Sequence, residues 1–409
     1  MRVLSVHGAP PFPPDHALRL RSWRLLQGLA AADEVTVLTW RYPETTDADY
    51  EALGAVSELV VLPFHPQPNG VARRAARQVR AIAGDHPPYV QVQLAERGFR
   101  GKRGDGRRAF DDAVRSRHRR RPFDIVVLGE DALATIESPL DGVPVALHRL
   151  NVFEALIGSL RREHWYDRVR WPLERPSWAR FDRRTLAHID LTITPTPESA
   201  AALRRLRPDA RVEVVENGVE LPTPALDPRA GADVAFIGAM DYRANIDAVR
   251  WFASGPWATL ASRFPDSRFR IVGRNPTADV VGLGSPRVMV TGEVPDVSVA
   301  CAGARVGVVP LRAGMGIKTK TLELLAMGLP VVTTAVGAEG IDAQPSDGLI
   351  VADEAGIAEE VAALLDDPAR AADLGAAARR YVARAHVWDA SAEHYRGLLL
   401  ATAARGVRR

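Results

Sequence analysis

Lysine is nearly missing from this chain: of 53 basic residues in 409, only Lys102, Lys318 and Lys320 are lysines. Cysteine is reduced to Cys301, which excludes an intrachain disulfide and fits a reducing compartment. No apolar run reaches the length of a membrane span, and the first residues enter a strand (Arg2 to Val6) without the apolar core of a signal peptide. The expectation is a cytoplasmic protein. A formal net charge of +3 is mild for this length and gives no global reason to bind nucleic acid. What remains, 46% apolar and 25% charged residues, is the make-up of a soluble globular protein long enough for two domains.

Against an arginine background, two lysines three places apart stand out. They lie in VVPLRAGMGIKTKTLELLAMGLPVVTTAVG, Val308 to Gly337, whose pattern is strand, glycine turn, helix, strand. The strand covers Val306 to Val309, the turn holds Gly314 and Gly316, the helix opens near Ile317 and stops at Gly328, and Pro330 to Val332 form the next strand. Glycines let backbone approach a ligand, and free amides at a helix start attract anions. Lys is a compact point charge suited to phosphate. Glu323 shares a helix face with Lys320, placing a carboxylate where it can accept hydrogen bonds from a ribose diol. Composition alone leaves open a plain strand-helix-strand unit with a surface Lys–Glu pair. The stretch is neither a Walker loop nor a full dinucleotide fingerprint.

The string GMGIKTKTLELLAMGLPVVTT resembles the signature of retaining glycosyltransferases of the GT-B fold, family 4 (glycosyl transferases group 1). That resemblance implies two Rossmann-like, doubly wound α/β domains facing a cleft. The boundaries would be 1–215 for the acceptor-side domain, with a basic insertion at about 65–122, and 216–385 for the nucleotide-sugar domain. Residues 386–409 would form a helix crossing back to the first domain. Glu323 would hold the donor ribose, Lys318 and Lys320 would neutralise the phosphates, and the amides at Gly314, Gly316 and Ile317 would hold diphosphate and sugar. Met315 stands where the family often has an earlier glutamate.

Other segments extend the resemblance. HGAPPFPPDHALRLR follows the first strand and is similar to the family's first loop, which carries over Gly8, His16 and Arg19. His148, ending the strand Pro144 to His148, resembles the histidine beside the donor sugar, with Asn151 and Glu154 as neighbours; a buried, satisfied histidine is the alternative. FIGAMDYRAN is similar to the element that offers Gly238 and a diphosphate-binding arginine, here Arg243, while Asn245 is expected to cap the following helix. The loop with Arg274 borders the nucleotide, and TGEVPD, with Glu293 and Val294, contacts the base. The implied reaction moves a sugar from a nucleoside-diphosphate sugar to a glycan, lipid-linked or small-molecule acceptor, with His148, Arg243, Lys320 and Glu323 in the catalytic set. No cofactor and no metal are expected. The one Asp-x-Asp, Asp47 and Asp49, reads as part of a polar loop. A nucleotide-sugar epimerase or hydrolase, or a non-catalytic partner subunit, are the rival readings.

Residues 70–121 hold fifteen Arg or Lys against five Asp or Glu. The segment reads as an anionic-membrane contact through a basic amphipathic helix, or as a solvated surface insertion. Phe99 and Phe110 are too few to make stacking platforms for nucleic acid.

Overall fold

The computed structural model describes residues 1–14, 17–64, 105–129, 140–149, 165–314 and 318–406. The chain divides into two units, Met1–Glu216 with Ser391–Arg409, and Asn217–Ala390.

The first unit is built on a parallel sheet of seven strands. In chain order they are β1 (Arg2–Val6), β2 (Glu34–Trp40), β3 (Glu58–Leu62), β4 (Ile125–Leu128), β5 (Val145–His148), β6 (Leu191–Thr194) and β7 (Val212–Val214). They lie side by side as β3-β2-β1-β4-β5-β6-β7. The short apolar runs are buried on both faces, as parallel strands require. Alternate residues serve opposite cores: Val3, Val37 and Ile125 pack with Leu26 and Leu29 of the helix Ala17–Ala30 and with Tyr395 and Leu399. Leu4, Leu38 and Val126 pack with Phe110 and Val114 of the helix Asp105–Arg120. The chain order reverses between β1 and β4, and open α/β sheets bind ligands at such reversals.

Three features of this unit differ from the sequence reading. Asp47 and Asp49 do not lie in a polar loop: they open the helix Asp47–Gly54, where Thr46 and Asp49 form a reciprocal capping box. Their carboxylates are engaged by the helix start and by Arg41. Strand β3 (ELVVL) was unanticipated. At the described end of the basic insertion four arginines are paired, Arg107 with Asp111 and Arg108 with Asp105 inside it, and Arg117 with Glu58 and Arg121 with Glu34 outside it. The stretch Arg73 to Arg80, on which the membrane expectation rested, lies outside the described residues. Among the described residues no helix is long and apolar enough to cross a membrane.

The second unit carries six parallel strands, β8 (Asp233–Ile237), β9 (Phe269–Val272), β10 (Val288–Val290), β11 (Ala304–Val309), β12 (Val331–Thr333) and β13 (Leu349–Val351). Their order is β10-β9-β8-β11-β12-β13, so the reversal falls between β8 and β11. Phe236, Phe252, Trp257, Phe269, Leu322 and Leu325 are among the residues filling its core. Both sheets have the doubly wound architecture expected from the sequence.

Candidate active site

The carboxyl ends of β8, β9, β11 and β12 gather most of the candidate residues of the second unit. Backbones meet there without room for side chains. A Cβ on Gly273, after β9, would lie 1.7 Å from the carbonyl oxygen of Gly238, after β8. One on Gly238 would come within 2.7 Å of the Asn245 amide nitrogen. The Met240 amide donates to the Arg274 carbonyl at 2.8 Å, tying the two loops together. These contacts explain why glycine alone suits both positions.

After β11 the chain passes Gly314 (φ +131°) and enters the helix Thr319–Ala326, whose N-cap is Lys318. Leu322 and Leu325 face the core, and Gly328 takes the left-handed conformation (φ +90°) that ends the helix. Met315, Gly316 and Ile317 lie outside the described residues.

The two lysines have different surroundings. Lys318 is 6% exposed, and its ammonium pairs with the Glu339 carboxylate at 2.9 Å. Glu339 is carried by the loop after β12, which is pinned by hydroxyls. Thr321 Oγ1 donates to the Gly337 carbonyl at 2.8 Å, the Gly337 amide donates to Thr334 Oγ1 at 3.1 Å, and Thr334 Oγ1 donates to the Leu311 carbonyl. Much of the Lys318 charge is therefore compensated within the protein.

Lys320 meets no carboxylate within ion-pair distance among the described residues. Its ammonium donates to Asn245 Oδ1 at 2.5 Å and lies 5.6 Å from the centre of the Phe236 ring. Burial, and then the nearby Lys318 charge, lower its pKa from 10.5 to about 8. One turn on, the half-buried Glu323 carboxylate has no hydrogen bond or ion pair among the described residues. Burial pushes its pKa from 4.5 up to about 7, against the opposing pull of Lys320. The surface Lys–Glu pair that composition left open is thus not formed; ammonium and carboxylate stand near each other with unused capacity.

Asn245 differs from expectation. The helix Arg243–Ser254 is capped by Tyr242, without a side-chain bond, and Asn245 sits inside its first turn, 3% exposed. Its Nδ2 donates to the Ala239 carbonyl at 2.7 Å, so Oδ1 is the atom left for Lys320. Arg243 opens this helix at the surface, and Arg274 is exposed after β9. Glu293 is exposed and Val294 half-buried after the edge strand β10, where Asp296 caps a short helix. No hydrogen bond or ion pair among the described residues ties these two to the lysines.

In the first unit, Gly8 is buried just past β1 and His148 ends β5. His148 is 4% exposed, and its Nε2 accepts from Arg21 Nε at 2.5 Å. Burial, then the Arg21 and His7 charges, hold its pKa well below the usual 6.5. Arg21, fully buried, also donates to the Val215 carbonyl at 2.6 Å, and burial lowers its pKa to about 9. His7, bonded to Ser5 Oγ at 2.8 Å, is lowered to about 4 by burial. This is a neutral-histidine cluster in which His148 is buried and bonded to Arg21. Arg19 is half-buried, while His16, Asn151 and Glu154 lie outside the described residues. Sequence reasoning missed Arg21; its signal was a charge in the stripe it shares with Leu25 and Leu29. It also missed Glu339, which no local pattern marks.

Residues 231–367 match the family described as Glycosyl transferases group 1. They span β8 to β13 and hold Lys318, Lys320 and Glu323. The fold of the chain is GT-B. Solved structures agree across the whole length. Sucrose-phosphate synthase (tll1590) from Thermosynechococcus elongatus superposes with a TM-score of 0.64 at 18% identity, covering 98% of this chain and 100% of that one. Anabaena Alr3699/HepE in complex with UDP gives 0.63 at 13% identity, with 98% and 100% covered. WaaG, a glycosyltransferase involved in lipopolysaccharide biosynthesis, gives 0.59 at 16%, with 95% and 98% covered. No curated protein matches the chain in sequence.

Proposed function

We propose that this GT-B chain transfers a sugar from a nucleoside-diphosphate donor to an acceptor hydroxyl with retention of anomeric configuration, as a family 4 enzyme. The observation that carries the reading is the Lys320 ammonium, fixed near a glycine turn and helix start with no carboxylate spent on it among the described residues. A diphosphate is the ligand that uses such a charge, and stabilising it as it departs is the main chemical demand of the transfer. Preorganised donors aimed at developing charge contribute about 3 kcal/mol each. The Glu323 carboxylate, without a partner among the described residues, is suited to accept hydrogen bonds from the ribose diol. Lys318 lends the charge that Glu339 does not cancel, and Arg243 and Arg274 supply further cations at the same strand ends.

On this reading Gly238, Gly314, Gly316 and Ile317 offer close backbone, Glu293 and Val294 border the base, and His148 and Gly8 serve the sugar. The protein works in the cytoplasm on a glycan, lipid-linked or small-molecule acceptor, in exopolysaccharide or lipopolysaccharide assembly, and needs no metal. The UDP in the Anabaena HepE complex makes UDP the first nucleotide to try. A thermal-shift panel of UDP, GDP, ADP and dTDP sugars tests the reading, since a bound donor raises the melting temperature by mass action. One donor should stabilise the protein and react in EDTA, giving a product whose anomeric coupling matches the donor. Release of free sugar or an epimer without acceptor, or no shift with any donor, would overturn it.

A further inference from the structure

Resting on the donor site just described, we propose that Asn245 is its positioning residue: a neutral amide that aims the Lys320 ammonium while leaving its charge uncompensated for the donor's diphosphate. The orientation of this amide is determined by its two partners. Nδ2 is committed to the Ala239 carbonyl at 2.7 Å, so only Oδ1 faces Lys320, at 2.5 Å. The residue is 3% exposed, and the side of it towards Gly238 has no space for even a methyl group. The amide therefore cannot turn over without breaking both bonds.

The comparison with Lys318 gives the choice of an amide its meaning. Two ammonium groups start the same helix; one is held by a carboxylate, Glu339, and the other by a carboxamide. A carboxylate at position 245 would make an equally short bond and a stronger one, yet it would cancel the charge it held. An amide supplies direction without neutralisation. Among the described residues, the groups facing the Lys320 ammonium are then Asn245, the Phe236 ring, the Lys318 charge and Glu323. None of these lies within ion-pair distance of it.

The experiment compares Asn245→Asp and Asn245→Ala with the parent in the full chain. It reads the dissociation constant of UDP, with GDP, ADP and dTDP as alternatives, and the melting temperature. Asn245→Asp is expected to weaken nucleotide binding tenfold or more, and further than Asn245→Ala does, because the near-isosteric carboxylate neutralises Lys320. Because Asp also sets an oxygen against the Ala239 carbonyl, the affinities are read together with the Lys320 titration midpoint, and an Asn245→Asp variant that binds nucleotide as tightly as the parent would overturn the proposal. Lysine-selective NMR supplies the second readout, since the chain holds only Lys102, Lys318 and Lys320. The Lys320 midpoint, assigned with Lys320→Met, should move up in Asn245→Asp and down in Asn245→Ala; an unmoved midpoint in both overturns the proposal. Should the Asp variant not fold, the Ala shift decides alone. Loss of nucleotide binding in Lys320→Met with none in Asn245→Asp would sink only the role of Asn245. Undiminished binding in Lys320→Met would sink the donor site as well.

Discussion

Replacing Glu323 with Gln should make the protein more stable and less able to hold its nucleotide. The unfolded chain ionises this carboxyl near 4.5, whereas the folded one does so at about 7, because burial disfavours the charged form. Between those two values the folded state keeps a proton that the unfolded state has lost, so stability declines as pH climbs through that window. At pH 8 the decline is complete and amounts to about 3–4 kcal/mol, since the window spans about 2.5 pH units and each is worth about 1.4 kcal/mol. Glutamine is nearly isosteric and carries no charge, so it removes this penalty. At pH 8 its domain should melt roughly 6–16 °C higher than the parent, from the usual 2–4 °C per kcal/mol for a domain of this size. At pH 4.5 the folded carboxyl is protonated and the unfolded one half-ionised, a difference of about 0.4 kcal/mol, so the two should melt within about 2 °C of each other. Nucleotide affinity should fall about tenfold, since glutamine accepts more weakly from a ribose diol than a carboxylate does. Calorimetric melts at the two pH values with nucleotide titrations decide the matter. Equal melting at pH 8, or a stabilised variant with full nucleotide affinity, would refute the reasoning.

Other perturbations probe the same strand ends. Gly273→Ala places a methyl group 1.7 Å from the Gly238 carbonyl, and the forced separation should cost about 3 kcal/mol or more, with nucleotide binding lost in parallel. A melting temperature within about 2 °C of the parent, a change of about 1 kcal/mol or less, would contradict that. Glu339→Gln leaves the Lys318 ammonium, whose side chain is 7% exposed, without its counter-charge. Because Glu339 is itself 27% exposed, the expected loss is about 1–2 kcal/mol, below that of a fully buried pair, and urea denaturation measures it. A variant as stable as the parent would show that the pair is screened by water.

Much of the fold was legible because parallel strands announce themselves as short apolar runs: β1, β6 and β8 were read to the residue. The glycine-lysine-glutamate turn was legible too, since its residues are close in sequence. What escaped was tertiary. The Lys318–Glu339 pair joins positions 21 apart through a loop held by Thr321 and Thr334, and the Lys320–Asn245 bond spans 75 positions. Asn245 was misread as a cap for a related reason: helix start signals locate an asparagine near the first turn, but whether its side chain caps the helix or reaches inward depends on what packs above it. Above it stands Lys320. Asp47 and Asp49 show the converse, a local capping box that Thr46 three places earlier could have signalled.

A crystal structure of the protein soaked with the nucleoside diphosphate that most raises its melting temperature tests the central claim most directly. The account predicts phosphate oxygens within hydrogen-bond distance of Lys320 Nζ at the start of the helix Thr319–Ala326, and ribose hydroxyls on the Glu323 carboxylate. A nucleotide seated elsewhere, with Lys320 still bonded only to Asn245, would contradict it.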